Sequence, residues 1–257
     1  MYVNLLTYIL MSQLLFFIRK ILVIFYSAFL SKQTCLVCKK QLFSFIPICK
    51  DCSDEMFYKP INDRNLRKDK YCCYCSIPLV SEKECCQRCR TNLNDGIAIE
   101  KQFLLYPYIN NYTNIILYWK NENIRSLSLL FASIIKKLIK DNPELKDISI
   151  VPVPPRPKKI KTKGWDQIED ICFYLEDSIP IKRILTRSDG HSQKGLSKKM
   201  RNINMIDKIH IKHGVNVPKK VIILDDVITT GATIEACKQC LKEAGCQEVL
   251  TLVLFFN

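Results

Sequence analysis

VIILDDVITTGAT, residues 221–233, is the stretch from which the fold can be read. Four consecutive apolar residues, Val221 to Leu224, have the length and branching of a strand buried on both faces. Two adjacent carboxylates, Asp225 and Asp226, stand at its carboxyl end, and Thr-Thr-Gly-Ala-Thr follows and opens a helix. In open α/β sheets ligands bind outside the carboxyl ends of parallel strands. Gly231 lets the backbone approach an anion. Amides around it, the hydroxyls of Thr229, Thr230 and Thr233, and the helix amino terminus all favour a phosphate there. The paired carboxylates repel that phosphate but accept hydrogen bonds from a diol. A phosphate beside ribose hydroxyls is a sugar-phosphate site. A capped turn between strand and helix would explain the apolar run but not two Asp with three Thr.

The flanking sequence repeats the alternation of strand and helix. Residues 97–108 (IAIEKQFLLYPY) look like a strand, and 124–140 carry an amphipathic helix with its basic residues gathered late. Residues 148–154 (ISIVPVP) form a buried strand ending in prolines, and Asp166 is placed to cap the helix that follows. A helix over 232–244 stops at Gly245, and EVLTLVLFF (248–256) supplies another buried strand. The expected fold class is α/β, a parallel sheet flanked by helices with right-handed crossovers.

Ten of the 14 cysteines fall between Cys35 and Cys89. Cys35, Cys38, Cys49 and Cys52 are matched, 37 residues on, by Cys72, Cys75, Cys86 and Cys89, and Leu42 maps onto Leu79 by the same shift. This is an internal duplication. Two CxxC knuckles place four thiolates around one Zn2+, and here there are two such sets. A disulfide framework would require an oxidising compartment and usually a short secreted chain. Tandem knuckles ahead of a nucleotide-type motif favour two structural zinc ions instead. Pairing within each half is the simpler assignment, with crossed pairing left open. Cys73 and Cys85 are left over, while Cys237 and Cys172 lie on apolar helical stripes and are expected in the core.

Composition closes other routes. Only 7 of 257 residues are Gly, and their positions permit no G-x-G-x-x-G. The nearest approach to a Walker A loop, Gly190 to Gly195, continues Leu196-Ser197 where Lys-Ser/Thr is required. The net charge of +14 favours anionic partners: nucleic acid, phosphorylated metabolites or an acidic membrane surface. Residues 1–31 are almost wholly apolar and admit three readings: a membrane anchor, a helix packed on the zinc module, or an upstream start with Met11 as initiator. A helix that packs or lies on a membrane is favoured over a span. The three His, at 191, 210 and 213, make no constellation with a nucleophile, and no general base is legible.

The motif at 221–233 resembles the phosphoribosyl-pyrophosphate (PRPP) motif of type I phosphoribosyltransferases. The duplicated knuckles, VPVPPRPKKIKTKGWDQ (151–167) and QKGLSKKMRNIN (193–204) narrow the resemblance to the ComF family of competence-associated proteins. Two departures stand out. Trp165-Asp166-Gln167 replaces the family's Phe-Asn-Gln, and Lys120 lacks the Tyr-Arg-Gly that normally follows it. The resemblance implies a type I phosphoribosyltransferase-like sheet behind a duplicated four-cysteine zinc-ribbon module. The divisions expected are an apolar helix at 1–31, the double ribbon at 32–95 and the sheet domain at 96–257. It further implies that Asp225 and Asp226 hold the ribose hydroxyls and that Thr229, Thr230, Gly231, Ala232 and Thr233 hold the 5′-phosphate. Pro154, Arg156 and Lys158 would bind pyrophosphate with Mg2+, and Gln193, Lys194, Arg201 and Asn204 would belong to a hood over the site. Both basic segments suit a diphosphate on charge alone, since 151–163 and 193–204 contain no acid. The role implied is DNA uptake in natural transformation, with PRPP, single-stranded DNA and a competence-system protein as partners. The expected setting is the cytoplasm, with membrane contact through 1–31. Two alternatives stay open: a phosphoribosyltransferase acting on an unidentified small-molecule acceptor, and a non-catalytic phosphosugar-sensing interaction protein.

Overall fold

The computed structural model describes residue 18 and residues 33–96, 99–188 and 208–257. Two compact units divide the chain, Met1–Asp54 and Glu55–Asn257.

In the first unit, β1 (Gln33–Thr34) pairs antiparallel with β2 (Gln41–Leu42), and the Cys35–Cys38 knuckle turns between them. Helix α1 (Lys50–Ser53) begins at Cys49, whose sulfur accepts from the Cys52 amide.

The larger unit contains α2 (Lys59–Leu66), α3 (Gln87–Asn94), α4 (Asn110–Lys120), α5 (Leu127–Asp141), α6 (Pro157–Lys163), α7 (Gln167–Leu175) and α8 (Ala232–Glu243). Its main sheet is built from β3 (Gln102–Pro107), β4 (Ser149–Pro152), β7 (Lys220–Ile228) and β8 (Glu248–Phe256), in the order β3-β8-β7-β4 with every pairing parallel. A separate antiparallel pair, β5 (Leu185–Arg187) and β6 (Ile209–Ile211), brackets residues 189–207. The fold class read from the sequence is the fold found.

Both central strands are sealed on both faces. Val221 to Leu224 of β7 and Val249 to Phe255 of β8 are buried, as a parallel sheet with helical cover requires. Helix α8 packs on β7 and β8, α7 packs on β4 and β7, and α5 packs on α7. At the carboxyl end of β3 an aromatic cluster fills the core. Phe131 stands 4.7 Å from Trp119, 5.6 Å from Phe255 and 6.0 Å from Phe57, ring centre to ring centre. Cys172 and Cys237 are fully buried in the core, as their apolar stripes predict.

Asp166 caps α7, its carboxylate accepting from the amides of Ile168 (2.9 Å) and Glu169 (3.3 Å). The Asp in place of Asn at this position therefore answers a helix terminus rather than facing outward. Asp166→Ala should cost about 1 kcal/mol of stability, read from the urea midpoint at unchanged slope.

Candidate functional site

The motif at 221–233 is built by a strand that runs longer than its apolar core. Strand β7 continues through Asp225, Asp226, Val227 and Ile228, whereas its pairing with β4 ends at Pro152–Leu224 and one further bond from the Val153 amide to the Leu224 carbonyl. Asp225 and Asp226 therefore extend past the end of the β4 edge while β8 still pairs on the other side, with Asp225 opposite Val253. Thr229 and Thr230 form an exposed turn. Gly231 follows at φ +80°, the left-handed region that favours glycine, and caps α8. The first amide of α8 lies 3.4 Å from the Thr230 hydroxyl, and the helix runs 12 residues from the loop, with its amino terminus directed there.

The two carboxylates differ in their partners. Asp226 takes the Lys120 ammonium at 2.7 Å, and Asp225 accepts from the Asp226 amide at 2.8 Å. Burial, and then the neighbouring Asp226 charge, push the Asp225 carboxyl up to about 8, against the lowering pull of that amide and of Lys120. Lys120 ends α4, and its carbonyl accepts from Lys163 at the end of α6 at 2.9 Å. Lys120 thus joins Asp226 to the carboxyl end of α6. In the sequence Lys120 stands out only as a departure from a motif. Its pairing with a residue 106 positions later has no local signal.

Pro154 is buried and Arg156 exposed, and α6 begins immediately after Arg156, so Lys158 belongs to its first turn rather than to a loop. A cavity of about 280 Å3 opens beside this turn, lined by Pro154, Pro155, Leu185, Arg187 and Lys212 among others. Burial and the nearby Arg156 charge lower the Arg187 pKa, while Cys237 and Asp225 act the other way. Nothing in the sequence around Arg187 singles it out; the β5–β6 pairing brings it there. Gln193, Lys194, Arg201 and Asn204 lie outside the described residues.

The cysteines form two four-sulfur groups, Cys35/Cys38/Cys49/Cys52 and Cys72/Cys75/Cys86/Cys89, with all sulfurs of a group within 4.8 Å of one another. This is the within-half pairing, and all fourteen cysteines are free of disulfides. Sulfurs 2.3 Å from a tetrahedral zinc are about 3.8 Å apart. The Cys38–Cys49 and Cys75–Cys86 separations are both 3.6 Å, so the residues fit zinc. Burial works against the thiolates of Cys35 and Cys72. Backbone amides aimed at each sulfur outweigh it and bring them down to about 6 and about 7.

The duplication extends to the backbone. Lys39 and Ser76, 37 residues apart, both adopt positive φ, at 62° and 58°. Cys35 N–H bonds the Lys40 carbonyl at 2.8 Å, and Cys72 N–H bonds the Ile77 carbonyl at 2.9 Å. The Thr34–Gln41 pairing returns as the Tyr71–Pro78 bridge, and Cys49 and Cys86 each cap a helix. The groups differ in exposure, since the second is buried at every cysteine whereas Cys38 of the first is exposed.

Comparison with known proteins agrees with this anatomy. Residues 187–257 match the phosphoribosyl transferase domain family. Competence protein ComFC of Streptococcus pneumoniae is 26% identical over 211 residues, covering 80% of this chain and 86% of that protein. Competence protein F of Haemophilus influenzae is 24% identical, covering 84% of this chain and 86% of that protein. ComFC of Bacillus subtilis is also 24% identical, covering 83% and 90%. With two four-cysteine groups, one the repeat of the other, preceding a phosphoribosyltransferase-like parallel sheet in one chain, this protein resembles the competence proteins ComFC and F along most of their length.

Proposed function

We propose that this protein binds PRPP at the carboxyl end of β7 and serves DNA uptake in natural transformation, handling single-stranded DNA. The observation that carries the reading is the Asp225–Asp226 pair, held beyond the β4 edge by Lys120 and followed by a glycine-capped helix terminus. Asp225 and Asp226 accept from the ribose 2′- and 3′-hydroxyls, and residues 229–233 take the 5′-phosphate. Arg156 and the first turn of α6 face the diphosphate with Mg2+. The net charge of +14 supports the nucleic-acid role, because phosphate contacts dominate such affinities. Eight ligand thiols require reducing surroundings, consistent with a cytoplasmic setting. Among the described residues no helix is long and apolar enough to cross a membrane, and the proposed membrane contact rests on residues 1–31, of which only residue 18 is described. A competence-system protein partner is part of the same reading.

A second reading, transfer of the phosphoribosyl group to a small acceptor, is favoured by the cavity beside Pro154 and Arg187. In that case the C1′–pyrophosphate bond breaks as a bond to the acceptor forms. The residues described supply positioning and charge stabilisation of the leaving group.

Calorimetric titration of zinc-loaded protein with PRPP and Mg2+ tests the site, and absence of heat from the unaltered protein would overturn it. Release of pyrophosphate with a candidate acceptor separates the second reading from the first. A steep fall in single-strand affinity with salt is expected for the DNA role.

Lys120→Met should weaken PRPP binding about tenfold at pH 7, the scale of one lost hydrogen bond between charged groups. Lys120 pulls the Asp225 carboxyl down, so without the ammonium Asp225 holds its proton to higher pH and the loss should shrink between pH 7 and pH 9. A deficit that is constant over that range would show that Lys120 acts by shape instead.

A further inference from the structure

The outer edge of β3 is not open. The Gln102 amide donates to the Tyr74 carbonyl at 2.6 Å and the Leu104 amide donates to the Cys75 carbonyl at 3.3 Å. Both acceptors belong to the first knuckle of the second four-cysteine group. That knuckle therefore lies along β3 as a short additional strand edge, satisfying amides that an edge strand otherwise leaves unpaired. The row continues inward without a break. Leu104 stands opposite Val253 in β8, and Val253 stands opposite Asp225 in β7. The four cysteines share one buried cluster with Leu104, Val151, Ile223 and Val253, and they are at most 4% exposed.

We infer that metal occupancy of the second four-cysteine group controls the order of the sheet row that ends at Asp225. The ion holds Cys72 and Cys75 against Cys86 and Cys89, and so fixes the Tyr74 and Cys75 carbonyls at the spacing β3 needs. When the ion leaves, four buried sulfurs lose their common partner and the knuckle has no other anchor of that strength. The β3 amides then lose their acceptors, and β3 loosens against β8 along the row carrying the acid pair. The inference rests on zinc as the ligand of the second group, and its consequence for PRPP rests also on the function proposed above.

The test uses the full chain with Cys38→Ser and Cys52→Ser, so that a single zinc remains, at the second group. Amide exchange is followed by mass spectrometry with the ion bound, after removal by a chelator, and after zinc is returned, with zinc content measured in each state. The expected result is at least about tenfold faster exchange in the β3, β8 and β7 peptides on removal, reversed when zinc returns. Faster exchange in the knuckle alone, or in β3 with β7 unchanged, overturns the inference. A second arm needs no substitution: in the unaltered protein, saturating PRPP with Mg2+ should tighten the equilibrium affinity for the second zinc, read by competition with a chelator, by the factor by which that zinc tightens PRPP. A zinc affinity insensitive to bound PRPP would overturn the coupling. Failure of PRPP to bind at all would overturn the functional reading while the exchange arm still decides the inference.

Discussion

At pH 9, where the Asp225 carboxyl is ionised, Asp225→Asn combined with Asp226→Asn is expected to lower affinity for PRPP–Mg2+ by about 100-fold or more, since two hydrogen bonds to ionised acceptors are lost at about 1.5–3 kcal/mol each. The single substitution Asp225→Asn is expected, in addition, to make the folded protein more stable at alkaline pH. The sign follows from the raised carboxyl. Asp225 titrates near 8 in the folded chain, against about 3.9 for an ordinary Asp in the unfolded one. Between those values the folded state holds the extra proton, so stability falls as pH rises from about 4 to about 8 and then levels off. A neutral amide removes that dependence. At pH 8.5 the gain should be at least about 2 kcal/mol, and at pH 4 it should approach zero. Urea unfolding of both proteins at the two pH values checks this. A gain of equal size at both would mean that the carboxyl is not strained by its burial. A buried carboxyl that costs the fold stability is expected where a site is kept for its chemistry.

Arg64→Ala should destabilise the larger unit by about 3 kcal/mol, the range for removing one partner of buried charged hydrogen bonds. Arg64 is 6% exposed, in α2, and its Nη2 donates to the carbonyls of Leu104 (3.1 Å) and Leu105 (3.0 Å). Its Nε and Nη1 have no hydrogen-bond partner among the described residues, and burial lowers its pKa. The ring of Tyr71 lies 5.4 Å from the guanidinium carbon and offers some compensation. Truncation to Ala removes this donor from both strand carbonyls and leaves a hole behind them. Arg64→Met fills most of the hole and sheds the buried charge, so it should cost less than half as much. Urea midpoints for the two variants decide. Equal losses would assign the cost to the carbonyls alone, and no loss from Ala would remove Arg64 from the account of the β3 edge.

What the sequence discloses, and what it conceals, divides by range. Strand β7, the glycine turn, the Asp166 cap and both four-cysteine sets are written in contiguous residues or in a fixed repeat, and each is where local chemistry puts it. Strand β3 is shorter at its start than the apolar run from residue 97 suggests, since pairing with β8 begins at Gln102. Helix α6 lies where Pro155 and Pro157 give the segment the look of a loop, yet Pro at the first helical position is compatible with a helix. The β5–β6 pair, the Lys120–Asp226 contact and the buried Arg64 are illegible, because each joins residues at least 22 positions apart with no local pattern to mark the partner. The repeat is a unit of sequence, and the compact units divide between its two copies, after Asp54. The second cysteine set has apolar neighbours, Leu104 and Val253 among them, that come from the sheet.

The strand order has a consequence for how the chain is made. The outer strands β3 and β4 are synthesised first, and the inner pair β7 and β8 last, since β8 occupies Glu248–Phe256. As the polypeptide leaves the ribosome, neither early strand has its inner partner until β7 and β8 emerge, beginning at Lys220. Such long-range pairing is slow to form and exposes apolar edges while it waits. The nascent chain must therefore be kept from aggregating until its last two strands slot between the first two.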